Sequence, residues 1–117
     1  ASQSGLPGTF APIADFGLLK KAVEAAEKRD VNTVVGNVLS SDTFYSADEK
    51  ANDQWRDMGV LCVEMEAAAL YMNAVKAKKK ALCILTISDH LFKEAALSAE
   101  ERQVGFGKMM EIALELA

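Results

Sequence analysis

Two short, largely apolar runs constrain this chain more than any other feature. They are VLCVEM (60–65) and ALCILT (81–86). A strand with one face in water alternates apolar and polar side chains, whereas a continuous run suits a strand covered on both faces, as in the middle of a parallel sheet. Parallel strands need crossover connections, usually helices, and the intervening segments read as such. Asp15 stands where an N-cap belongs, and Phe16, Leu19, Val23 and Ala26 then recur at helical spacing. This predicts a helix over about 15–29, ended by Asp30. The β-branched stretch VNTVVGNVLSS (31–41) predicts a strand. SSDTFYSADEK (40–50) predicts a polar loop that carries Phe44 and Tyr45 and leads into a short polar helix ending near Gly59. After the strand at 60–65, EAAALYMNAVKAK (66–78) predicts a helix. KALCILTIS (80–88) predicts a further strand, and DHLFKEAAL (89–97) a loop or lid. Ser98 to Glu101 has the capping-box form S-x-x-E and opens a final helix, with Met109, Ile112, Ala113 and Leu116 as its apolar stripe. Residues 1–9, punctuated by Gly5, Pro7 and Gly8, read as a loop. The predicted fold class is therefore α/β, with right-handed crossovers and a mostly parallel central sheet flanked by helices in three layers. No internal repeat, low-complexity tract or domain boundary interrupts the 117 residues.

Composition narrows the partners. The formal net charge of −4 argues against a generic polyanion binder such as a nucleic-acid protein. No apolar run approaches the roughly 20 residues that span a bilayer, and no signal peptide is visible. The two cysteines, Cys62 and Cys83, sit one in each apolar run. They read as buried thiols of a reducing compartment, with a disulfide between neighbouring strands as the alternative. Neither a CxxC nor a Cys/His spacing suggests a metal site.

In open α/β sheets, ligands sit beyond the carboxyl ends of the strands. Two apolar runs end in charged residues there: Glu64-Met65-Glu66 and Ser88-Asp89-His90. Carboxylates directly after buried strands are costly unless partnered or used. Glu66 has two readings, a carboxylate favouring the following helix start or an acceptor for sugar hydroxyls. Glu64 reads first as a helix-start or structurally paired group. Asp89 is either an Asx turn or a general acid/base in a partly dry pocket. His90, the single histidine, reads as a hydrogen-bonded structural partner before it reads as a catalyst. No G-x-S-x-G elbow supports a Ser-His-Asp hydrolase. Arg102, in the first turn of the last helix, opposes the helix dipole, so it is either solvated or paired with a carboxylate across the site. Phe44 and Tyr45 either anchor their loop or form a flat wall for a planar ligand.

These residues form a recognisable pattern. APIADF (11–16), VGNVLSSDTFYS (35–46), VEMEAAALY (63–71), LTISDH (85–90) and AEERQVGF (99–106) resemble, in order and spacing, the bacterial hexameric purine nucleoside phosphorylases within the wider nucleoside and uridine phosphorylase family. The resemblance covers nearly everything from residue 9 to 117, and implies that residues 1–117 are the C-terminal half of a single nucleoside phosphorylase domain. It also implies phosphorolysis: a purine nucleoside and inorganic phosphate, the co-substrate, give free base and ribose 1-phosphate, with no other cofactor and no metal. On this likeness Asp89 would protonate purine N7, and Arg102 would approach Asp89 on closure and promote the transfer. Glu66 and Met65 would hold the ribose. Phe44 would pack on the base, with Val63, Glu64 and Ser88 lining the same pocket. A cytoplasmic homo-oligomer, a hexamer, is implied as well, with no nucleic-acid or membrane partner.

The sequence departs from the family pattern at 47–54 (ADEKANDQ) and looks shortened at 3–9. It also holds no Gly-rich phosphate loop; in the family the phosphate-binding groups lie in the other half of the domain. Three alternatives stand beside purine phosphorolysis. A uridine phosphorylase is not expected to carry an acid at Asp89. A nucleosidase, which uses water, shares the Ser-Asp pair but not the following His with a downstream Glu-Arg. A catalytically incomplete fragment would only bind purine weakly or self-associate.

Overall fold

A computed structural model of the chain describes residues 5–43, 49–92 and 97–117. The first helix, α1 (Phe16–Lys28), begins where the sequence predicts. The Asp15 carboxylate accepts the Leu18 N–H at 2.9 Å, which satisfies one of the unpaired donors of the first turn. Its buried face is Ala22, Ala25 and Ala26, an i, i+3, i+4 stripe of small side chains. These pack with Ile112 of the last helix, α4 (Ala99–Glu115), and with Val31, Leu82, Ile84 and Leu116 around them. The predicted stripes are partly corrected here. Phe16 is 75% exposed, and Ala113 is exposed as well. Arg29 clamps the far end of the pair through Glu111 at 3.2 Å and Glu115 at 2.8 Å.

Three helices end alike. They are α1, α2 (Glu49–Asp57) and α3 (Ala67–Lys76). The second residue after each has positive φ: Asp30 at 53°, Gly59 at 79° and Lys78 at 54°. The next residue's N–H returns to a carbonyl five positions back: Val31 to Ala26 at 2.9 Å, Val60 to Trp55 at 3.1 Å, and Lys79 to Ala74 at 2.8 Å. This is the Schellman closure, which satisfies the orphan carbonyls and turns the chain sharply. The predicted terminators Asp30 and Gly59 are two of these residues.

Strands β1 (Val38–Ser40) and β2 (Cys62–Glu64) pair in parallel, with Val38 opposite Cys62, Leu39 opposite Val63 and Ser40 opposite Glu64. Leu61 N–H to the Asn37 carbonyl and Ser41 N–H to the Glu64 carbonyl, both 2.9 Å, extend the pairing. Helix α2 lies within the crossover, so the α/β alternation holds with a parallel pair and flanking helices. Two predicted strands are corrected. The strand over 31–41 contracts to three residues, with Val34 and Val35 exposed. Residues 80–88 form no ladder strand among the described residues. Three of their backbone groups pair outside a ladder: the Ala81 carbonyl accepts from Asp15 N–H, the Ser88 carbonyl accepts from Leu97 N–H, and Cys83 N–H donates to the Tyr71 hydroxyl, each at 2.9 Å. Apolar sequence alone does not make a strand; a neighbour must take its N–H and C=O groups.

Cys62 and Cys83 are free and half-buried, so the disulfide alternative does not form. Burial pushes both thiols above their ordinary range, reinforced by the nearby Glu64 carboxylate. Among the described residues, no helix is long and apolar enough to cross a membrane.

Candidate active site

The chain ends β2 in a carboxylate that is committed to structure. Glu64 accepts the hydroxyl of Ser40 from the neighbouring strand, the Glu66 N–H at 2.5 Å and the Ala67 N–H at 2.6 Å. Ser40 Oγ in turn accepts the Ala68 N–H at 2.9 Å. Two side chains from two strand ends thus accept three N–H groups at the open N-terminus of α3. Desolvation pushes the Glu64 carboxyl up, but the hydrogen bonds from Ser40 and from the Ala67, Glu66 and Met65 N–H groups outweigh it and hold the carboxyl below its ordinary value. Ser40 is a residue sequence reasoning missed. Its partner lies 24 positions away, and only the parallel register brings the two together.

Glu66 occupies the N-cap position of α3 yet makes no side-chain cap hydrogen bond. The helix-start role that one reading gave it belongs to Glu64. Glu66 and Met65 are both exposed at this strand end, which leaves their side chains accessible to a ligand.

The second cluster forms after residue 87. Ser88 Oγ donates to Asp89 Oδ2 at 2.8 Å, and Arg102 Nη2 pairs with Asp89 Oδ1 at 3.3 Å. Of the two readings of Arg102, the carboxylate partner is the one present. The expectation that it reaches Asp89 on closure meets a structure in which the two already touch. The pair is half-exposed, with side-chain accessibilities of 41% for Arg102 and 51% for Asp89, so its Coulomb energy is modest by itself. Arg102 Nε is buried without a hydrogen-bond partner among the described residues. Beside Arg102, an open cleft of about 720 Å³ runs along α4 past Gln103, Phe106 and Met110.

His90 takes the structural role. Its Nδ1 accepts the Phe92 N–H at 3.1 Å, and its ring meets the Phe92 ring edge-on at 6.3 Å between centroids. Arg56 from α2 lies 4.2 Å over the same Phe92 ring, a cation–π contact that ties the segment after Asp89 to the polar helix. A smaller cleft of about 230 Å³ lies between these elements, where Val63 meets Leu39, Ser40, Thr43, Trp55 and Leu91. Val63 lines this cleft, which shares no lining residue with the one beside Arg102. Trp55 lines the smaller cleft too but was unmarked in the sequence because its helix is otherwise polar. Phe44 and Tyr45 lie outside the described residues. Among the described residues, no group of three or more His, Cys, Asp or Glu side chains could hold a metal ion.

A sequence model of the family described as the phosphorylase superfamily matches residues 2–115. Curated relatives agree with it. A DeoD-type purine nucleoside phosphorylase of Listeria welshimeri is 53% identical over 108 residues, which cover 92% of this chain and 46% of the relative. One from Jannaschia sp. is 52% identical, and a second-type enzyme of Photobacterium profundum 48% identical, each with the same coverage. The chain spans about half the length of the curated relatives it matches.

Proposed function

The chain belongs to the phosphorylase superfamily, and from that membership we propose that it carries the base-side and ribose-side groups of a site for purine nucleoside phosphorolysis. The observation that carries the proposal is the Ser88–Asp89–Arg102 cluster, in a chain half identical to proteins named purine nucleoside phosphorylases. On this reading residues 1–117 are the C-terminal half of one domain. Cleaving the glycosidic bond builds oxocarbenium character on the ribose and negative charge on the departing base. Asp89 is the proton donor to purine N7, which turns the base into a better leaving group. Arg102 stabilises the aspartate once its proton has left. Glu66, relieved of helix capping by Glu64, accepts from the ribose hydroxyls, with Met65 beside it. Phe44, Val63, Glu64 and Ser88 border the base, Glu64 through its hold on the strand end. Phosphate is the co-substrate and attacks the anomeric carbon; no other cofactor takes part. The protein works as a cytoplasmic homo-oligomer, a hexamer by family resemblance, which sedimentation measures directly.

Phosphate-dependent release of base from inosine or adenosine tests the reaction. Asp89→Asn should lower kcat at least a hundredfold while nucleoside affinity changes little, because a proton donor acts mainly in the transition state. Equal losses in turnover and affinity would count against the assignment. One observation favours a second reading, in which the chain is catalytically incomplete unless joined to the rest of the domain: none of its segments is a Gly-rich phosphate loop. Phosphorolysis by the 117 residues alone would rule that reading out.

A further inference from the structure

Four hydrogen bonds close a ring through the Asp89–Arg102 pair, and two more from Glu101 brace it at Ser98. From Asp89 Oδ2 the ring passes to Ser88 Oγ at 2.8 Å. The Ser88 carbonyl then accepts the Leu97 N–H at 2.9 Å. From Leu97 the chain enters Ser98, whose N–H donates to the Glu101 carboxylate at 2.7 Å and whose hydroxyl accepts the Glu101 N–H at 3.1 Å. The Ser98 carbonyl accepts the Arg102 N–H at 3.0 Å, and Arg102 returns to Asp89 Oδ1 at 3.3 Å. The capping box of α4 is therefore more than a helix start. It sets the dihedral angles of the first turn, and the same turn is pinned to Ser88 on one side and carries Arg102 on the other.

We infer that Glu101 is a positioning residue: through the Ser98 capping box it holds the first turn of α4 against Ser88, and so keeps the Arg102 guanidinium on Asp89. The physical basis is that a half-exposed ion pair is too weak to order two side chains unaided. Arg102 has several rotatable bonds to fix, and ordering such a chain has an entropic cost comparable to what an exposed pair returns. Fixing its backbone by a reciprocal cap and a tether to Ser88 removes part of that cost. Glu101 touches neither Asp89 nor the cleft, so its influence on the pair passes through Arg102's backbone. The role rests on the proposed function only in its catalytic consequence; the ring itself is independent of it.

The test compares Glu101→Ala, Glu101→Gln and Asp15→Ala in the full 117-residue chain by 15N-resolved NMR and hydrogen exchange. Gln keeps the side-chain acceptor of an S-x-x-Q box, and Asp15→Ala uncaps α1, outside the ring. Glu101→Ala is expected to speed exchange of the Leu97 N–H roughly tenfold, the scale of a lost cap, and to move the Arg102 Nε–H signal toward its position in Asp89→Ala. Glu101→Gln is expected to keep both near wild type, and Asp15→Ala to alter neither. If Glu101→Ala loosens only the first-turn amides and leaves the Leu97 and Arg102 signals in place, the inference is overturned and the capping box is local. Where phosphorolysis is measurable, Glu101→Ala should lower kcat several-fold at unchanged KM, with Gln restoring it. Absence of phosphorolysis in the wild-type chain would bear on the proposed function, while the exchange data would still decide the positioning role.

Discussion

Glu64 and Glu66 carry the same carboxylate two positions apart, yet the fold gives them different work. Glu64 ends a strand beside Ser40 and faces the N–H groups that open α3. Glu66 sits one residue before that helix and contributes no cap. The consequence for stability has a definite sign. The folded Glu64 carboxyl lies below its ordinary value, so its contribution is full above the unfolded carboxylate range, about pH 4.3, and fades as pH falls through the lower folded value. Glu64→Gln should therefore destabilise the chain by about 1 kcal/mol near pH 7, with the gap from wild type shrinking below about pH 4. Urea melts at the two pH values measure it, and a gap that widens in acid would contradict the account. Glu66→Gln belongs at the same scale with a different readout. It should weaken ribose-bearing ligands roughly tenfold, the size of a lost charged hydrogen bond, and spare the free base; calorimetry with inosine and hypoxanthine separates the two. The carboxylates were visible in the sequence as candidates. Glu64 already read there as a helix-start or paired group, and it caps α3; its partner Ser40 was not legible, because it comes from a different strand.

Helix ends are where the sequence and the structure correspond best. Asp15 and the Ser98–Glu101 box were readable because a cap bonds to groups within three positions, so local residue chemistry suffices. Gly59 was readable for the same reason, since a left-handed closure favours a residue without Cβ. The third such closure uses Lys78 at φ 54°, and nothing in its side chain announces it. Gly59→Ala should destabilise by about 1 kcal/mol although its Cβ would meet open space. Lys78→Gly should stabilise by up to about 1 kcal/mol by removing the left-handed strain. Thermal unfolding of the two variants should shift in opposite directions, and a common direction would show that backbone conformation is not the controlling factor. Gly105 illustrates a different use of the residue. A Cβ there would lie 2.9 Å from Thr86 Cγ2, so its absence lets α4, and Arg102 one turn earlier, settle against the 80–88 segment.

Across the whole molecule the packing is thin. The radius of gyration is 15.5 Å and the extents are 44 × 37 × 22 Å, against about 13 Å for a compact domain of this length. Among the described residues the buried hydrophobics are Ala22, Ala25, Ala26, Ala67, Tyr71 and Ile112, while Val34, Val35, Leu85 and Ile87 of the predicted strands are exposed. Apolar surface on that scale drives association. The isolated chain should bind a hydrophobic dye strongly and sediment in a concentration-dependent manner; a dye-silent, strictly monomeric chain would show that this surface is not free in solution. The sequence by itself determined the helices, the local caps at Asp15 and at Ser98–Glu101, the α/β alternation and the cluster of chemistry-bearing residues after two apolar runs. Each of those follows from contacts within a few positions, or from residue types a given chemistry requires. Only the tertiary structure decided that Ser40 joins Glu64 at the start of α3, that Arg102 rests on Asp89 13 positions away, and that residues 80–88 form no ladder strand among the described residues. Those outcomes depend on which distant segment takes up a hydrogen bond or a charge, and periodicity along one chain does not encode the partner.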